Sequence, residues 1–541
     1  MNKVLKGLVA VAATAAMAVA GFAGASTAMA VDGNTVNVTV PGAESNLNGH
    51  AYTAYQILSG TQATSGGALG DAEWGTGIND AAFLKALKAD TTIGEYFTKV
   101  TDAKGFAEAL SNTNNFPADG ANTRLVAKIA MKHTQGAGTA LAAGSSTQLD
   151  KGYYLIVDST TDGQTVYNPA VLAITSDIEI KDKTDVPTLE KKVQENKKDA
   201  TGDTAYGSKF NDVADYNIGD EVPFHLIGSV PDMSQYETYT YKFTDTFDKG
   251  FDAVDTSNVK VYLSNDKKLD LEGESVDTDI TSYFSGTNGS IQYTAATEAQ
   301  GETAGTLTVS TKDLKKAATY SKEQPQYVIV SYTAKLNANA KIGLPGNVNE
   351  AYLTYSNKPD QSGTGDNNTN DTPHDKVIVF TYGLDVTKVD SKNTETKLKD
   401  AEFKLKNSDG KWATITDGKV TGWADTELQG SVLKSDESGK FKVEGLDDGE
   451  YTLKETKAPA GYNLPADGFS VTLTATTANN QAWDGTATKA LTNLAVKVDQ
   501  TDGTGDVTTG LGAITIKNTQ GSSLPSTGGM GTVLLYVAGI A

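Results

Sequence analysis

Cysteine is absent from all 541 residues. Its absence removes disulfides, thiol nucleophiles and cysteine-held metal, and leaves any covalent reinforcement to other side chains. Histidine is nearly as scarce, with four in the chain. No H-E-x-x-H, no G-x-S-x-G and no convincing paired-carboxylate motif occurs, so the sequence lacks the common hydrolase signatures. Positive charge is in deficit: 46 Lys and Arg face 67 Asp and Glu, for a net charge of −21. That balance excludes a nucleic-acid partner, which needs a basic face, and suits a soluble extracellular surface. Long apolar stretches are few. What is plentiful is Thr, Gly, Asp, Asn and Val, a mixture suited to short strands and many turns.

Both ends carry signals of their own. Lys3 and Lys6 precede an apolar Ala/Val run and the small-residue site Ala28-Met29-Ala30, the layout of a secretory leader that is removed and takes no part in the fold. The mature chain then starts near Val31. At the other end, Leu524-Pro525-Ser526-Thr527-Gly528 precedes Gly529 and the apolar run Met530 to Ala541. Pro525 bends the chain and Gly528 leaves the following bond unshielded. The pentapeptide resembles an LPxTG cell-wall sorting signal, and that resemblance implies that an enzyme thiolate attacks the Thr527 carbonyl, cuts before Gly528 and holds the protein as an acyl intermediate. The apolar run falls short of the roughly 20 residues that cross a bilayer, and is read as a truncated hydrophobic tail.

Between these signals there is room for three domains of ordinary size, expected at 31–185, 186–382 and 383–520, with 521–541 as the sorting region. In the first, Asn34 to Val40 alternates as a strand does. Phe83, Leu84, Leu87, Phe97, Phe106 and Leu110 follow helical spacing, with Asp80 and Asp102 as N-caps. Arg124 to Lys132 predicts a further helical turn, and Gly152 to Val157 and Ala170 to Ile180 return to strand patterns. The expectation is a β-sandwich with helical insertions and a core of the aromatic positions. The second segment opens with Thr188-Leu189-Glu190-Lys191-Lys192-Val193 and continues as a series of strands divided by turns such as Asn288-Gly289 and Pro345-Gly346. An immunoglobulin-like sandwich is the architecture this predicts. In the third segment, Tyr451-Thr452-Leu453-Lys454-Glu455 places a carboxylate on the same strand face as two large apolar side chains, where a solvated acid would not sit.

The stretch from Tyr451 to Tyr462 reads Y-x-L-x-E-x-x-A-P-x-G-Y and resembles the E-box of sortase-assembled pilins. Over nearly its whole length the chain resembles a major (backbone) fimbrial pilin of Gram-positive bacteria, of the actinobacterial type. That resemblance implies an all-β fold of tandem immunoglobulin-like, collagen-adhesin A/B-type sandwiches. It also implies isopeptide bonds, formed without cofactor or external enzyme. Lys388, Glu455 and Asn518 take the roles of nucleophile, proton shuttle and amide donor in the third domain. Lys192, Asp245 and Asn357 take them in the second, with Asn349 as the other candidate amide. The chemistry requires such trios: burial makes the lysine amine neutral and nucleophilic, and keeps an acid protonated so that it can polarise the carboxamide.

The same resemblance implies head-to-tail polymerisation, in which a pilin sortase joins Thr527 of one subunit to a lysine of the next. The acceptor follows a V-x-V strand in the family. Lys183, after Ile178-Glu179-Ile180, occupies that place, although Lys181-Asp182 replaces the usual Tyr-Pro. Lys181, Lys191 and Lys192 are the other candidates. Implied partners are a second copy of the chain, sortases, peptidoglycan, minor pilins and host ligands, on a secreted, wall-anchored, non-enzymatic protein. No metal is expected. Asp366, Asn368 and Asn370 match the first three ligand positions of an EF-hand loop, but Asp371 stands where the turn needs Gly and Val377 where a bidentate Glu is needed. The run at Asp502, Gly503 and Asp506 fits less well.

Overall fold

The computed structural model describes residues 35–521, apart from 41–50, 63–68, 113, 117–120, 143, 159–169, 175–176, 180–185, 197–204, 234–235, 273–275, 298–300, 302, 322, 358–368 and 479–482. Lys181, Lys183, Asp366, Asn368, the leader and Leu524 to Gly528 lie outside the described residues. The chain folds as tandem immunoglobulin-like β-sandwiches. Among the described residues no helix is long and apolar enough to cross a membrane.

In the first unit, Thr35–Val40 pairs with Ser145–Asp150 and, in parallel, with Ile178–Glu179. A second sheet runs Leu69–Trp74, Ala51–Gln62, Gly152–Asp158, Ala170–Ile174. Strand alternation along Gly152–Asp158 divides the interior into two layers. Tyr154 and Ile156 pack with Val36, Val38 and Val40 between the sheets. Tyr153 and Leu155 turn to the other face, which the helices Asp80–Ala89, Ala103–Leu110 and Ala121–Met131 contribute to covering. Phe83, Leu87, Phe106 and Leu110 are buried there, as the helical spacing predicts. The capping differs in one place: Asn79, not Asp80, accepts from the Ala82 amide, because the helix starts at Asp80. Asp102 caps as expected, accepting from the Gly105 amide.

The second unit is a sandwich of two sheets. One runs Phe210–Asn211, Leu189–Gln194, Glu221–Ser229, Tyr327–Lys335, Lys260–Ser264, Thr278–Asp279. The other contains Val213–Asp215, Asp375–Phe380, Asn347–Ser356, Tyr241–Asp248, Thr303–Thr311 and Gly289–Ala295. In the third unit, Tyr382–Asp390 pairs in parallel with Leu511–Asn518 and antiparallel with Lys440–Leu446.

The second and third cores share a strand. In Asp375–Phe380, Val377 and Val379 enter the core of the second unit, while Ile378 and Phe380 enter that of the third. The chain then continues through Thr381 into Tyr382–Asp390. A strand buried on both faces reads as an unbroken apolar run, and Val377-Ile378-Val379-Phe380 is one. The Ile218 amide also donates to the Gly445 carbonyl across this seam at 3.0 Å. The junction is therefore packed backbone and side chain.

Candidate functional sites: two buried lysine, acid and asparagine clusters

The site in the third unit is built from its terminal strands. Lys388 lies on Tyr382–Asp390, and Asn518 ends Leu511–Asn518 beside it, with Asp390 opposite Asn518 in the parallel register. Glu455 comes from Gly449–Lys457, where Tyr451, Leu453 and Glu455 all face inward. All three members of the site are buried. Lys388 Nζ donates to Glu455 Oε2 at 3.0 Å and to Asn518 Oδ1. Asn518 Nδ2 donates to Glu455 Oε1 at 2.7 Å. One carboxyl group thus holds the amine with one oxygen and the carboxamide nitrogen with the other. The rings of Phe403 and Phe469 lie 5.4 Å from the amine. Burial pulls the Lys388 amine down to about 8, against the opposing pull of Glu455, so a minor neutral fraction is available near neutral pH.

The arrangement can form an amide. The neutral Nζ attacks Cγ of Asn518, a proton passes by way of Glu455 to the departing Nδ2, and ammonia leaves. Every atom that must move touches a partner able to take or give its proton.

The second unit gathers an equivalent set, but not the one the sequence reading assigns. Lys191, fully buried, places Nζ 3.0 Å from both Asp245 oxygens and 2.9 Å from Tyr332 Oη. Asn349 Nδ2 donates to Tyr332 Oη at 3.1 Å, and its buried Oδ1 has no hydrogen-bond partner. Tyr332 Oη also donates to Asp245 Oδ2. Phe224 lies 5.1 Å from the amine. Burial lowers the Lys191 amine more than Asp245 and Asp375 raise it. Burial raises Asp245 despite Lys191, Tyr332 and Asn349. Both shifts favour a neutral amine beside a protonated acid.

Two expected members are displaced. Lys192 points to the opposite side of the strand, with Nζ 2.5 Å from Asp212 Oδ1 and 4.7 Å from the Tyr206 ring. Successive strand residues face opposite ways. Lys192 is buried as well because Phe210–Asn211 extends the sheet past Leu189–Gln194 and brings the Tyr206 and Asp212 segment over it. Asn357 lies beyond the end of Asn347–Ser356. Asp245 pairs with Ala351, two residues from Asn349, whereas Asn357 lies about 20 Å along the strand direction. Asn370 and Asp371 of the calcium-like run lie in or beside a short strand paired with Tyr355 and Thr354.

The sequence reading missed Tyr332, which bridges amine, acid and carboxamide. It also missed the carboxylates at the seam of the second and third units. Asp215, Asp447 and Asp448 place oxygens within 4.8 Å of one another, and Glu195 accepts from the Asp215 amide at 3.2 Å. Asp215 also accepts from Tyr382 Oη at 2.9 Å, and Asp447 from Asn196 Nδ2 at 2.8 Å. Burial first, then the neighbouring carboxylates including Glu195, raise Asp215 and Asp447 well above the ordinary carboxylate range. A raised acid holds its proton in the folded state where the unfolded chain has lost it. Its stabilising contribution is complete below the ordinary carboxylate pKa and disappears as pH rises through the raised value. Thermal unfolding of this junction is therefore expected to move to lower temperature as pH rises above the ordinary carboxylate range. Asp447→Asn is expected to flatten that slope; calorimetry over that rise in pH checks it, and a slope equal to wild type would refute the assignment.

Two of these β-sandwiches thus gather a lysine, an acid and an asparagine in a buried core, an arrangement able to form a side-chain amide in a chain without cysteine. Residues 383–487 match the family model described as the SpaA prealbumin-like fold domain. The chain is 28% identical over 265 residues to the trypsin-resistant surface T6 protein of Streptococcus pyogenes serotype M6, a match covering 39% of this chain and 45% of that relative. The chain thus spans about half the length of the curated relative it matches. Among solved structures, the T6 backbone pilin of that serotype is 15% identical, with 91% of this chain and 100% of that chain covered and a TM-score of 0.49. The full-length major pilin SpaD from Corynebacterium diphtheriae is 16% identical, with 90% and 98% covered and a TM-score of 0.45.

Proposed function

We propose that this chain is the structural backbone subunit of a covalently polymerised fimbria anchored to the cell wall. It is read as three domains, 31–185, 186–382 and 383–520, exported by the 1–30 leader, and acts as a building block and not as an enzyme. The observation that carries this reading is the placement of Lys388 and Asn518 on the first and last strands of the third unit, 130 positions apart in sequence, with Glu455 between them. An amide there lets tension entering at one terminal strand leave through the other along covalent bonds, without shearing the sheet. A free-standing domain has no need of that path; a shaft has.

Polymerisation follows from the terminal motifs. A sortase thiolate attacks Thr527, Gly528 leaves as the amine, and a lysine of the next subunit resolves the acyl intermediate. Lys183 is the proposed acceptor, and a second sortase fixes the finished chain to peptidoglycan. Cells carrying Lys183→Ala are expected to show single-copy protein where wild-type cells show a ladder of high-mass species on a denaturing gel. A persistent ladder moves the acceptor to another lysine. A wild-type protein that never forms a ladder would make this a wall-anchored monomer.

A further inference from the structure

The third unit does not release its chain at the end of the last strand. Beyond Asn518, Thr519 to Gly521 is exposed and contributes nothing to the core, yet it is paired residue by residue with the loop that follows Glu455. The Asn463 amide donates to the Thr519 carbonyl at 3.0 Å, and the Gly521 amide to the Gly461 carbonyl at 2.9 Å, with Tyr462 and Gln520 opposite each other as an antiparallel bridge. Side chains reinforce the pairing. Tyr462 Oη donates to Asp390 Oδ2 at 2.9 Å and accepts from Gln520 Nε2 at 3.4 Å.

Both glycines are fitted to this contact. Gly461 has φ of +85°, in the left-handed region that aims its carbonyl at the tail, and a Cβ on Gly521 would lie 3.0 Å from Asn463 Oδ1. The loop is in turn tied to the first strand through Asp390, whose other oxygen accepts from the Lys392 and Asn393 amides at 2.7 and 2.9 Å.

We infer that the Gly461–Asn463 loop is a clamp that positions the sorting peptide for its transpeptidase, with Tyr462 as the positioning residue. This rests on the proposed reading of Leu524 to Gly528 as the cleaved peptide. In sequence, only Ser522 to Thr527 separates the clamped Gly521 from the scissile bond. A tail held at its root has less freedom to lose on entering the enzyme's groove, so the clamp lowers KM and leaves kcat to the enzyme.

The test uses the full chain and a pilin sortase, measuring release of the segment after Thr527. Gly521→Pro removes the donor to Gly461, and Tyr462→Phe removes the hydroxyl. Each is expected to raise KM roughly fivefold with kcat little changed, while the melting temperature of the 31–523 portion stays at the wild-type value and its mass changes only by the substitution itself. A synthetic peptide of residues 522–529 is expected to show the raised KM as well. Wild-type KM in both variants, or a free peptide cut as efficiently as the full chain, would overturn the clamp and leave the proposed function standing. Resistance of both the full chain and the peptide to cleavage would remove the sorting reading, and the clamp with it.

Discussion

Glu455→Ala is expected to return about 17 Da, one ammonia, to the intact mass of the exported protein. It is also expected to lower the melting temperature of the third unit by on the order of 20 °C. The mass follows from the geometry at Lys388. Its amine touches Glu455 Oε2, and Asn518 Nδ2 touches Glu455 Oε1, so removing this carboxyl removes the group that relays the proton. The thermal effect follows from the closed loop. A crosslink between Lys388 and Asn518 spans 130 sequence positions, and by analogy with disulfides a loop of that size contributes about 5 kcal/mol. Glu455→Gln separates shape from chemistry: it fills the same space, so it should also lack the bond but lose less stability. Denatured intact-mass spectrometry reads the bond without reference to folding. A Glu455→Ala mass still short by one ammonia would show that the bond forms without this acid.

How much of this was legible beforehand depends on how local the signal is. Glu455 is legible because its own strand carries the information: Tyr451 and Leu453 share its parity, and all three are buried. The helices of the first unit are legible for the same reason, from the spacing of Phe83, Leu87, Phe106 and Leu110. The seam carboxylates are not. Asp215 and Asp447 are far apart in sequence and meet only through the packing of two units, so no window of sequence contains them. The shared strand lies between these cases. Its run Val377 to Phe380 announces burial on both faces, but which side faces which core is decided by tertiary structure.

The choice between Lys191 and Lys192 shows the same division and yields the sharpest test of the second site. Leu189 and Val193 enter the core of the second unit, and strand parity places Lys191 with them and Lys192 with Glu190 and Gln194. That signal was present in the sequence. Parity does not distinguish Asn349 from Asn357, since both are odd-numbered like Ala351, Leu353 and Tyr355. Register does, because Asp245 lies opposite Ala351, which leaves Asn349 within reach of Tyr332 and the amine. With both bonds formed, the wild-type mass is expected to fall short of the composition by about 34 Da. Lys191→Ala and Asn349→Ala should each return about 17 Da and lower the melting temperature of the second unit on the scale given above for the third. Lys192→Ala should change the mass only by the substitution itself, because its amine is committed to Asp212 on the outer face of the sheet. Asn357→Ala should likewise keep the full deficit. A Lys192→Ala protein that regained one ammonia while Lys191→Ala did not would reverse the assignment, and would require the Leu189–Gln194 strand to sit with its other face toward the core.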